Sequence, residues 1–501
     1  MKKSFGELTA FVRAIEPPLC FILHARRRAV LAAAIALLLV ATVQRAFTQE
    51  VSFLGAQSAV PVQGLKCPRG VALDQAGDLF VADSNDSRVI VFPASGGPEF
   101  TVGSGLNGPN GVTVDRNGNI YIADSRNNRV VVVPADGGTQ YTIGKGLHDP
   151  GGVAVDRFGN VFIADTENKR VVVVPAGGRG QYTIGSGLKA PRDVALDEER
   201  NLFIADARLN QVVVVPANGG SQYTVGSGLS GPSGVVVDQS SNVFISDSNN
   251  SRVVEVPAGG GSQITLPTSG LLFPYGVALD GSGNLYIVDH GGTIGDCPEQ
   301  GATCKVVEWQ RATVDFGSIV MQQSSTLTLN YLVTQATKFG PVDIASSGDF
   351  TLGNSNTCTG TLPANSTCGV NIDFGPLELG ERQGTVELTD SVGSVLVTTA
   401  VQGNGVTATA TKLKSSPNPS SYGEAVTFTA TVTSENGAPP NGENVWFADG
   451  LTILGTGSLK FGSASLTIST LPVGTARVTA VYGGDSKFAG STSSVVRQVV
   501  Q

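Results

Sequence analysis

The chain has 501 residues, with 33 Lys or Arg against 41 Asp or Glu, which gives a formal net charge of −8. A chain of this length is expected to fold as three or more domains. Nucleic-acid backbones are bound by basic surfaces, so the acidic balance argues against a nucleic-acid partner.

The first 48 residues have the pattern of a secretory signal. Residues 26–28 form a basic flank, and an apolar run follows at residues 29–43. This order is typical of an export signal. A retained signal anchor is the alternative, although the run is short for a membrane span. We therefore predict an exported protein, extracellular, at the cell surface or in the periplasm, whose only membrane contact would be such an anchor.

Residues 50–309 contain one unit repeated six times. A period in the forties with several short apolar runs is typical of a β-propeller. Each unit has four such runs, separated by turns rich in Gly, Asn and Asp, and so predicts a four-stranded blade. The first Asp of the units recurs every 41 residues, with one last step of 42, at Asp74, Asp115, Asp156, Asp197, Asp238 and Asp280.

The ring of blades is expected to close through its N-terminus. Residues 58–65, SAVPVQGL, align with QYTVGSGL of later units but precede the first inner strand. The sixth unit ends at KVVEW and lacks a fourth strand. We predict that the N-terminal strand completes the sixth blade, because this removes an exposed sheet edge.

A second Asp ends the second strand of each unit, and in four units an Arg follows it five residues later. A catalytic carboxylate is usually singular, whereas this pair recurs from blade to blade. We interpret it as a structural lock of the turn. The four pairs are Asp83 with Arg88, Asp124 with Arg129, Asp165 with Arg170, and Asp247 with Arg252.

The segment PNGVTVDRNGNIYIADSRNNRV at residues 109–130 resembles the NHL repeat, and four other units resemble it nearly as closely. The resemblance implies a six-bladed propeller over residues 58–309. NHL propellers serve as sensor modules of bacterial receptor kinases, as RNA- or protein-binding modules of ubiquitin ligases and in a peptide-amidating lyase. Related six-bladed propellers include gluconolactonase-like enzymes. The resemblance therefore does not choose a function, and the site must decide.

Two further domains are predicted after the propeller. Residues 310–405 include CTGTLPANSTCGVNIDFGPLELGERQGTVELTD and resemble the Hydin-like, choice-of-anchor domains of bacterial surface proteins. Residues 406–501 include LPVGTARVTAVYGGDSKFAGS and resemble bacterial Ig-like repeats. Alternating strands joined by Gly and Pro turns support two sandwiches independently. The predicted fold is thus all-β, a six-bladed β-propeller followed by two Ig-like β-sandwiches that act as spacers or adhesion arms.

The cysteines fit an oxidising compartment. Cys297 and Cys304 bracket a short insert in the sixth unit, and Cys358 and Cys368 bracket a second short segment. Both spacings predict local disulfides. Cys67 is left over and is predicted to be a small buried residue, with pairing to the sixth-blade insert as the alternative.

The residue after the unit proline is the best candidate for recognition. It is expected where the inner strand enters the channel at the upper face, and it varies among units on a uniform scaffold. An Arg there suits a carboxylate or phosphate, and a Tyr suits stacking on a sugar or aromatic group; the alternative is a solvated position that is free to vary. The residues are Arg69, Asn110, Gly151, Arg192, Ser233 and Tyr275, together with Asp193, which replaces the Gly that comes next in the other units.

A catalytic constellation is not apparent. The three histidines are His24, His148 and His290. The first lies in the leader, and the other two are expected in solvated turns of opposite blades. The inner strands read as apolar, with no carboxylate facing the channel, and the turns DxxGN carry too few carboxylates for calcium. We predict no catalytic residue, no metal and no cofactor.

The sequence therefore favours an exported, non-catalytic binding or scaffold protein. Its propeller would recognise a protein, peptide or glycan at the cell envelope through the upper face. The alternative is a divergent lyase or lactonase-type enzyme on the same scaffold. A third hypothesis is a purely structural envelope protein.

Overall fold

The computed structural model describes residues 50–62, 64–177, 180–291 and 304–501. The predicted leader, residues 1–48, and Cys297 lie outside these ranges. Strands account for nearly all regular structure in them, and short 3-10 turns occur at Ser125–Asn127, Ser248–Asn250 and Ala258–Gly260. No helix in these ranges has the length and apolarity to cross a membrane. The all-β prediction is confirmed.

The propeller has six antiparallel blades in the described residues; in five the four strands follow one another in sequence, and in the sixth an N-terminal strand is added to three consecutive ones. The inner strands, which line the channel, are β2 (Pro68–Leu73), β6 (Pro109–Val114), β10 (Pro150–Val155), β14 (Pro191–Leu196), β18 (Pro232–Val237) and β22 (Pro274–Leu279). The second strands are β3 (Leu79–Asp83), β7 (Ile120–Asp124), β11 (Val161–Asp165), β15 (Leu202–Asp206), β19 (Val243–Asp247) and β23 (Leu285–Asp289).

The third and fourth strands form the outer half of each blade. The third strands are β4 (Arg88–Phe92), β8 (Arg129–Val133), β12 (Arg170–Val174), β16 (Gln211–Val215), β20 (Arg252–Val256) and β24 (Lys305–Gln310). The fourth strands of the first five blades are β5 (Phe100–Val102), β9 (Tyr141–Ile143), β13 (Tyr182–Ile184), β17 (Tyr223–Val225) and β21 (Ile264–Thr265).

The valine runs are buried between neighbouring blades. Val130, Val131 and Val132 of β8 are each at most 1% exposed. Val130 and Val132 share an apolar cluster with Val153 and Val161 of the next blade, whereas Val131 packs toward the preceding blade. Such a strand is apolar on both faces, which explains why its sequence does not alternate with polar residues.

The N-terminal strand β1 (Val51–Ala59) closes the ring, as predicted. Its second half pairs antiparallel with β24, from Ala56 opposite Gln310 to Ala59 opposite Val307. The strand lies earlier than the predicted residues 58–65. Pro61 has no N–H to continue the ladder, so the pairing ends with Val60, whose N–H donates to the carbonyl of Val306 at 3.1 Å.

The first half of β1 belongs to the next domain. It pairs with β26 (Ser325–Val333), so the sheet of the sixth blade continues into the middle sandwich. The second sheet of this sandwich packs across an aromatic cluster in which the rings of Phe350 and Phe374 are 4.7 Å apart. Its other strands are β25 (Val314–Val320), β27 (Thr337–Ser346), β28 (Phe350–Asn356), β29 (Thr361–Leu362), β30 (Ser366–Phe374), β31 (Gly380–Asp390) and β32 (Val395–Val406).

The C-terminal domain is a second two-sheet sandwich. Its core includes Phe428 and Phe447, and its Leu451 packs against an apolar cluster formed by the first and sixth blades. Its strands are β33 (Thr409–Ser416), β34 (Val426–Ser434), β35 (Asn444–Asp449), β36 (Thr452–Ser458), β37 (Ser463–Ile468), β38 (Gly474–Tyr482), β39 (Ser491–Thr492) and β40 (Val496–Val500).

Candidate functional site

The inner strands approach one another closely at the second residue after the unit proline, a position that is Gly in five blades and Asp193 in the fourth. A Cβ on Gly70 would lie 2.3 Å from the carbonyl oxygen of Asn110, and one on Gly276 would lie 2.3 Å from that of Arg69. Only a hydrogen atom fits at these glycines, so the neighbouring strands lie close together there. The side chain one residue earlier is thereby fixed at the upper end of the channel, which we call the mouth.

Tyr275 is the centre of the mouth. Arg192 Nη1 donates a hydrogen bond of 3.0 Å to the tyrosine hydroxyl oxygen, and Asn110 also hydrogen-bonds this oxygen. The guanidinium carbon of Arg69 lies 5.5 Å from the centroid of the tyrosine ring, and that of Arg192 lies 5.8 Å away. Residues from blades one, two, four and six therefore converge at one point.

The ring of Tyr275 is not available for stacking on a ligand. The residue is only 6% exposed, its ring contacts both arginines, and it stacks with His290 at a centroid distance of 6.1 Å. The expectation that Tyr275 would stack on a sugar or aromatic group is therefore wrong for this conformation. Its hydroxyl group instead holds Arg192 in place.

The remaining mouth residues differ in their availability. Ser233 is 2% exposed, and its hydroxyl contacts the hydroxyl of Ser248 and the carbonyl of Pro274. Gly151 contributes no side chain, and a Cβ there would lie 2.3 Å from the carbonyl oxygen of Arg192. The charged side chains that line the channel and are only partly buried are those of Arg69, Arg192 and Asp193.

Arg69 and Arg192 differ from the arginines of the turn locks in the partners that the described residues offer them. Neither forms an ion pair with any Asp or Glu of the described ranges, in contrast to the four arginines of the turn locks. Arg69 Nε is buried and has no hydrogen-bond partner there. Burying a cation without a partner is costly. The mouth is therefore arranged to receive negative charge.

Asp193 places a carboxylate inside the channel, which corrects the expectation that the inner strands carry none. It lies on β14 and lines the channel cavity. Its oxygens accept hydrogen bonds from the N–H groups of Val194, at 2.9 Å, and of Val235, at 3.0 Å. Burial raises the pKa of Asp193 to about 7 despite these two bonds. Near neutral pH, Asp193 is therefore protonated in some molecules and ionised in the others.

The charges of the mouth also act on Tyr275. Burial alone would raise its pKa, but the cations of Arg192 and Arg69 outweigh burial, and the pKa is lowered. The interaction with Tyr275 correspondingly raises the pKa of Arg192. Arg192 therefore stays cationic at any physiological pH.

His290 packs against Tyr275 of the mouth, and the sequence did not indicate it as a site residue. The histidine was expected in a solvated turn, but it is 2% exposed and lies between Tyr275 and Cys67, with Nε2 3.0 Å from Cys67 Sγ. Burial lowers its pKa to about 4, so it is neutral at pH 7. His148, by contrast, is exposed, as expected.

A signal for His290 was present in the repeat. The residue after the second Asp is Ser or Thr in four units, and its hydroxyl bonds the mouth proline carbonyl of the next blade, as from Thr166 to Pro191 at 2.7 Å. In the sixth unit His290 takes this position. Its next blade is the first, where Cys67 precedes the mouth proline. The departure from the repeat therefore marks the junction at which the ring closes.

The Asp–Arg pairs form inside the upper turns. Arg129 Nε donates to Asp124 Oδ2 at 2.6 Å, and its Nη2 donates to the carbonyl of Gly105 at 2.8 Å. The other carboxylate oxygen accepts the N–H of Asn107 at 2.6 Å. The pair thus ties the turn to the loop that arrives from the preceding blade. The same ion pairs join Asp83 to Arg88, Asp165 to Arg170, and Asp247 to Arg252.

The cysteine predictions are partly confirmed. Cys358 and Cys368 form a disulfide. Cys304 is free, so the predicted bond between Cys297 and Cys304 is wrong. Cys67 is buried, and it is itself disulfide-bonded. Sequence spacing favoured the local pair, whereas ring closure brings the first blade beside the sixth and places Cys67 at their junction.

No group of three or more His, Cys, Asp or Glu side chains in the described ranges is placed to hold a metal ion. The channel cavity has a volume of about 340 Å³. Its polar lining is concentrated at the mouth, where Arg69, Asn110, Arg192, Asp193, Ser233 and Tyr275 lie, and most of the remaining wall consists of Gly, Val, Ala and Leu.

Comparison with known families agrees with this architecture. The NHL repeat family matches residues 65–92, 106–133 and 147–174, and the bacterial Ig-like domain (group 3) family matches residues 413–501. The chain thus contains NHL repeats and ends in a bacterial Ig-like domain. No curated protein matches the chain.

Several solved structures resemble the chain at low sequence identity. A streptogramin B lyase is 12% identical, with a TM-score of 0.41, and the match covers 51% of this chain and 98% of the lyase. A nidogen/laminin complex chain is 18% identical, with a TM-score of 0.40 and coverage of 46% and 97%. A PQQ-bound aldose sugar dehydrogenase from Streptomyces coelicolor is 16% identical, with a TM-score of 0.41 and coverage of 52% and 99%. Similarities at this level carry no argument about function.

Proposed function

We propose that this chain, an NHL-repeat propeller with C-terminal Ig-like domains, is an exported, non-catalytic binding protein. It recognises a protein, peptide or glycan of the cell envelope at the mouth of its channel. The observation that carries the proposal is the pair of arginines, Arg69 and Arg192, which converge on Tyr275 without a carboxylate partner among the described residues. Elsewhere the propeller satisfies its buried charges, as in the four turn locks.

Three features support export. The Cys358–Cys368 disulfide suits an oxidising compartment. The C-terminal Ig-like family is a bacterial one. The basic and apolar pattern of residues 26–43 is that of a secretory signal. In this proposal the two sandwiches hold the propeller at a distance from its attachment point or add adhesive contacts.

The proposal is tested by retention of envelope components. Purified unmodified chain, Arg69→Ala and Arg192→Ala are immobilised and exposed to cell-wall and culture fractions. Arg126→Ala is the matched control, because Arg126 is exposed in an upper-face turn and makes no ion pair with a described carboxylate. We expect both mouth variants to lose bound components that the control retains. Equal retention by all four proteins would contradict a binding site at the mouth.

A divergent lyase or lactonase is the second candidate, and one observation favours it. Asp193 has a pKa raised to about 7 by burial, and the phenol of Tyr275, whose pKa is lowered by the neighbouring arginines, lines the same cavity. Groups with such pKa shifts can act in general acid–base catalysis. One tightly held divalent ion in the purified protein, together with turnover of a lactone or cyclic peptide that Asp193→Asn abolishes, would establish the enzyme.

A further inference from the structure

We propose that the chemical group recognised at the mouth is a carboxylate, held between Arg69 and Arg192. The inference rests on the proposed binding function and names the ligand class for that same site. It begins from two cations without an ion pair among the described residues, since Asp149 and Glu167 attract Arg192 only at longer range. Two guanidinium groups face one cavity, and no ion pair with a described carboxylate neutralises either of them.

The geometry leaves donors free for a ligand. Arg192 uses one terminal nitrogen, Nη1, to bond Tyr275. Arg69 makes no side-chain hydrogen bond within the described residues, and its Nε is buried without a partner. A guanidinium offers five donors in a planar fork that matches the two oxygens of a carboxylate. Both guanidinium groups lie against the same Tyr275 ring, with their central carbons 5.5 and 5.8 Å from its centroid.

The cavity wall restricts the rest of the ligand. Below the mouth the lining includes Val71, Val112, Val153, Val194 and Val277. Thr113 is the polar residue among the described lining below the mouth level, and no Lys is present in this lining. A volume of about 340 Å³ is at the lower end of small-ligand sites. The complementary molecule has one anionic head and a small apolar remainder.

A sugar is a poorer match than such a carboxylate. Recognition of a sugar face usually needs an open aromatic ring, and Tyr275 is covered by Arg69, Arg192 and His290. A carboxylate with a small apolar remainder can come from two sources. One is a free short-chain carboxylic acid, and the other is the C-terminal carboxylate of a peptide that ends in a small apolar residue.

Isothermal titration calorimetry of the purified chain provides the first test and requires no variant. Hexanoate, hexanamide and hexyl phosphate are titrated in turn, because they share the tail and differ in the head. We expect hexanoate to bind and the neutral amide to bind about ten-fold or more weakly, since a hydrogen bond to a charged partner is lost. No binding of hexanoate, equal binding of the amide or tighter binding of the phosphate would overturn the inference.

Variants then locate the site. Arg69→Met and Arg192→Met keep an unbranched apolar side chain and remove the charge, and Arg126→Met is the matched control. We expect each mouth variant to weaken hexanoate binding by about ten-fold or more and the control to leave it unchanged. Hexanoate binding that survives both mouth substitutions would contradict the assignment. The thermal midpoint of each variant shows whether it is folded.

Titrations of a peptide distinguish the two sources of the carboxylate. They also distinguish a failure of this inference from a failure of the proposed function. A peptide ending in Val is titrated with a free C-terminus and again as the C-terminal amide. Stronger binding of the free acid than of hexanoate identifies the peptide terminus as the source, and the reverse order identifies the small acid. If the amide binds as well as the free acid and Arg192→Met abolishes both, the carboxylate inference fails while the proposed mouth site stands.

Discussion

Asp193 shows how one substitution in a repeated unit changes the chemistry of the channel. The other five units have glycine here, and a Cβ on the corresponding Gly152 would lie only 2.0 Å from Asp193 Oδ1. The carboxylate occupies the space between inner strands that this glycine leaves. Burial in that space raises its pKa from 3.8 to about 7. A buried carboxyl with such a pKa makes the stability of the fold depend on pH.

The Asp193→Asn variant tests this dependence. Because the folded pKa is raised, the folded state keeps a proton that the unfolded chain releases between about pH 4 and pH 7. The unmodified chain therefore loses stability as the pH rises through that window, and the loss is complete above about pH 7. We expect the variant to be more stable than the unmodified chain by roughly 2–4 kcal/mol at pH 8 and about equal to it at pH 4.

Thermal midpoints of both proteins across that pH range measure the effect. Glu199→Gln, at an exposed site of the same blade, is the control and should leave the pH profile unchanged. If Asp193→Asn lowered the midpoint at pH 8, the carboxylate would be stabilising and its raised pKa would be wrong.

Strand β1 is the element that joins two domains. Its first half pairs with β26 of the middle sandwich and its second half with β24 of the sixth blade. The change of partner occurs at Gly55, where φ is +144° and the carbonyl of Leu54 accepts the indole N–H of Trp309 at 3.0 Å. A Cβ on Gly55 would lie 2.3 Å from Trp309 Nε1 and 2.7 Å from the carbonyl oxygen of Gln310. Both neighbours are buried and cannot retreat.

Gly55→Ala is therefore expected to destabilise the propeller strongly. Gly64→Ala is a matched control, because Gly64 has a φ of +68° but nothing within 4 Å of its Cβ position. We expect a cost of about 1 kcal/mol at Gly64, from backbone strain alone, and about 3 kcal/mol at Gly55, where overpacking is added. Thermal unfolding and proteolysis of the N-terminal segment report both. Equal costs at the two glycines would show that β1 is not held by Trp309.

The repeat predicted the blades well because period, turn residues and apolar runs are local signals. It predicted the closing strand but not its bounds, since the pairing of β1 with β26 depends on a domain that begins more than 200 residues later. The mouth residues were found from their variation on a uniform scaffold. The burial of Tyr275 and the contact that His290 makes with it were not predicted. Stacking between these two side chains depends on the directions in which they point, which a sequence pattern does not give. The free Cys304 was missed because sequence spacing favoured a local pair, whereas ring closure places the disulfide-bonded Cys67 beside the sixth blade.

The propeller and the middle sandwich are joined by more than the chain that connects them. Besides the shared strand, Arg311 of the connecting segment pairs with Asp238 at 3.1 Å and Glu255 at 3.3 Å. Its guanidinium also lies 4.4 Å from the ring centroid of Phe244. These contacts hold Arg311, which directly follows the last propeller strand β24, against the fifth blade. The two domains are therefore expected to unfold together.

Calorimetry of Arg311→Gln tests this coupling. Its partners Asp238 and Glu255 are largely buried, so the loss of the cation should cost about 1–2 kcal/mol and lower the midpoint of the shared transition by about 2–4 °C. Arg477→Gln, in the C-terminal sandwich, is the control and should leave that transition in place. Separate transitions for propeller and middle sandwich in the unmodified chain would contradict the coupling.

The most direct test of binding at the mouth is one array of peptides and glycans, probed with three proteins. These are the unmodified chain, the double variant Arg69→Met/Arg192→Met, and Arg126→Met. We expect every position bound by the unmodified chain to be lost with the double variant and kept with the control. Positions that the double variant still binds at full strength would place recognition elsewhere on the molecule and contradict binding at the mouth.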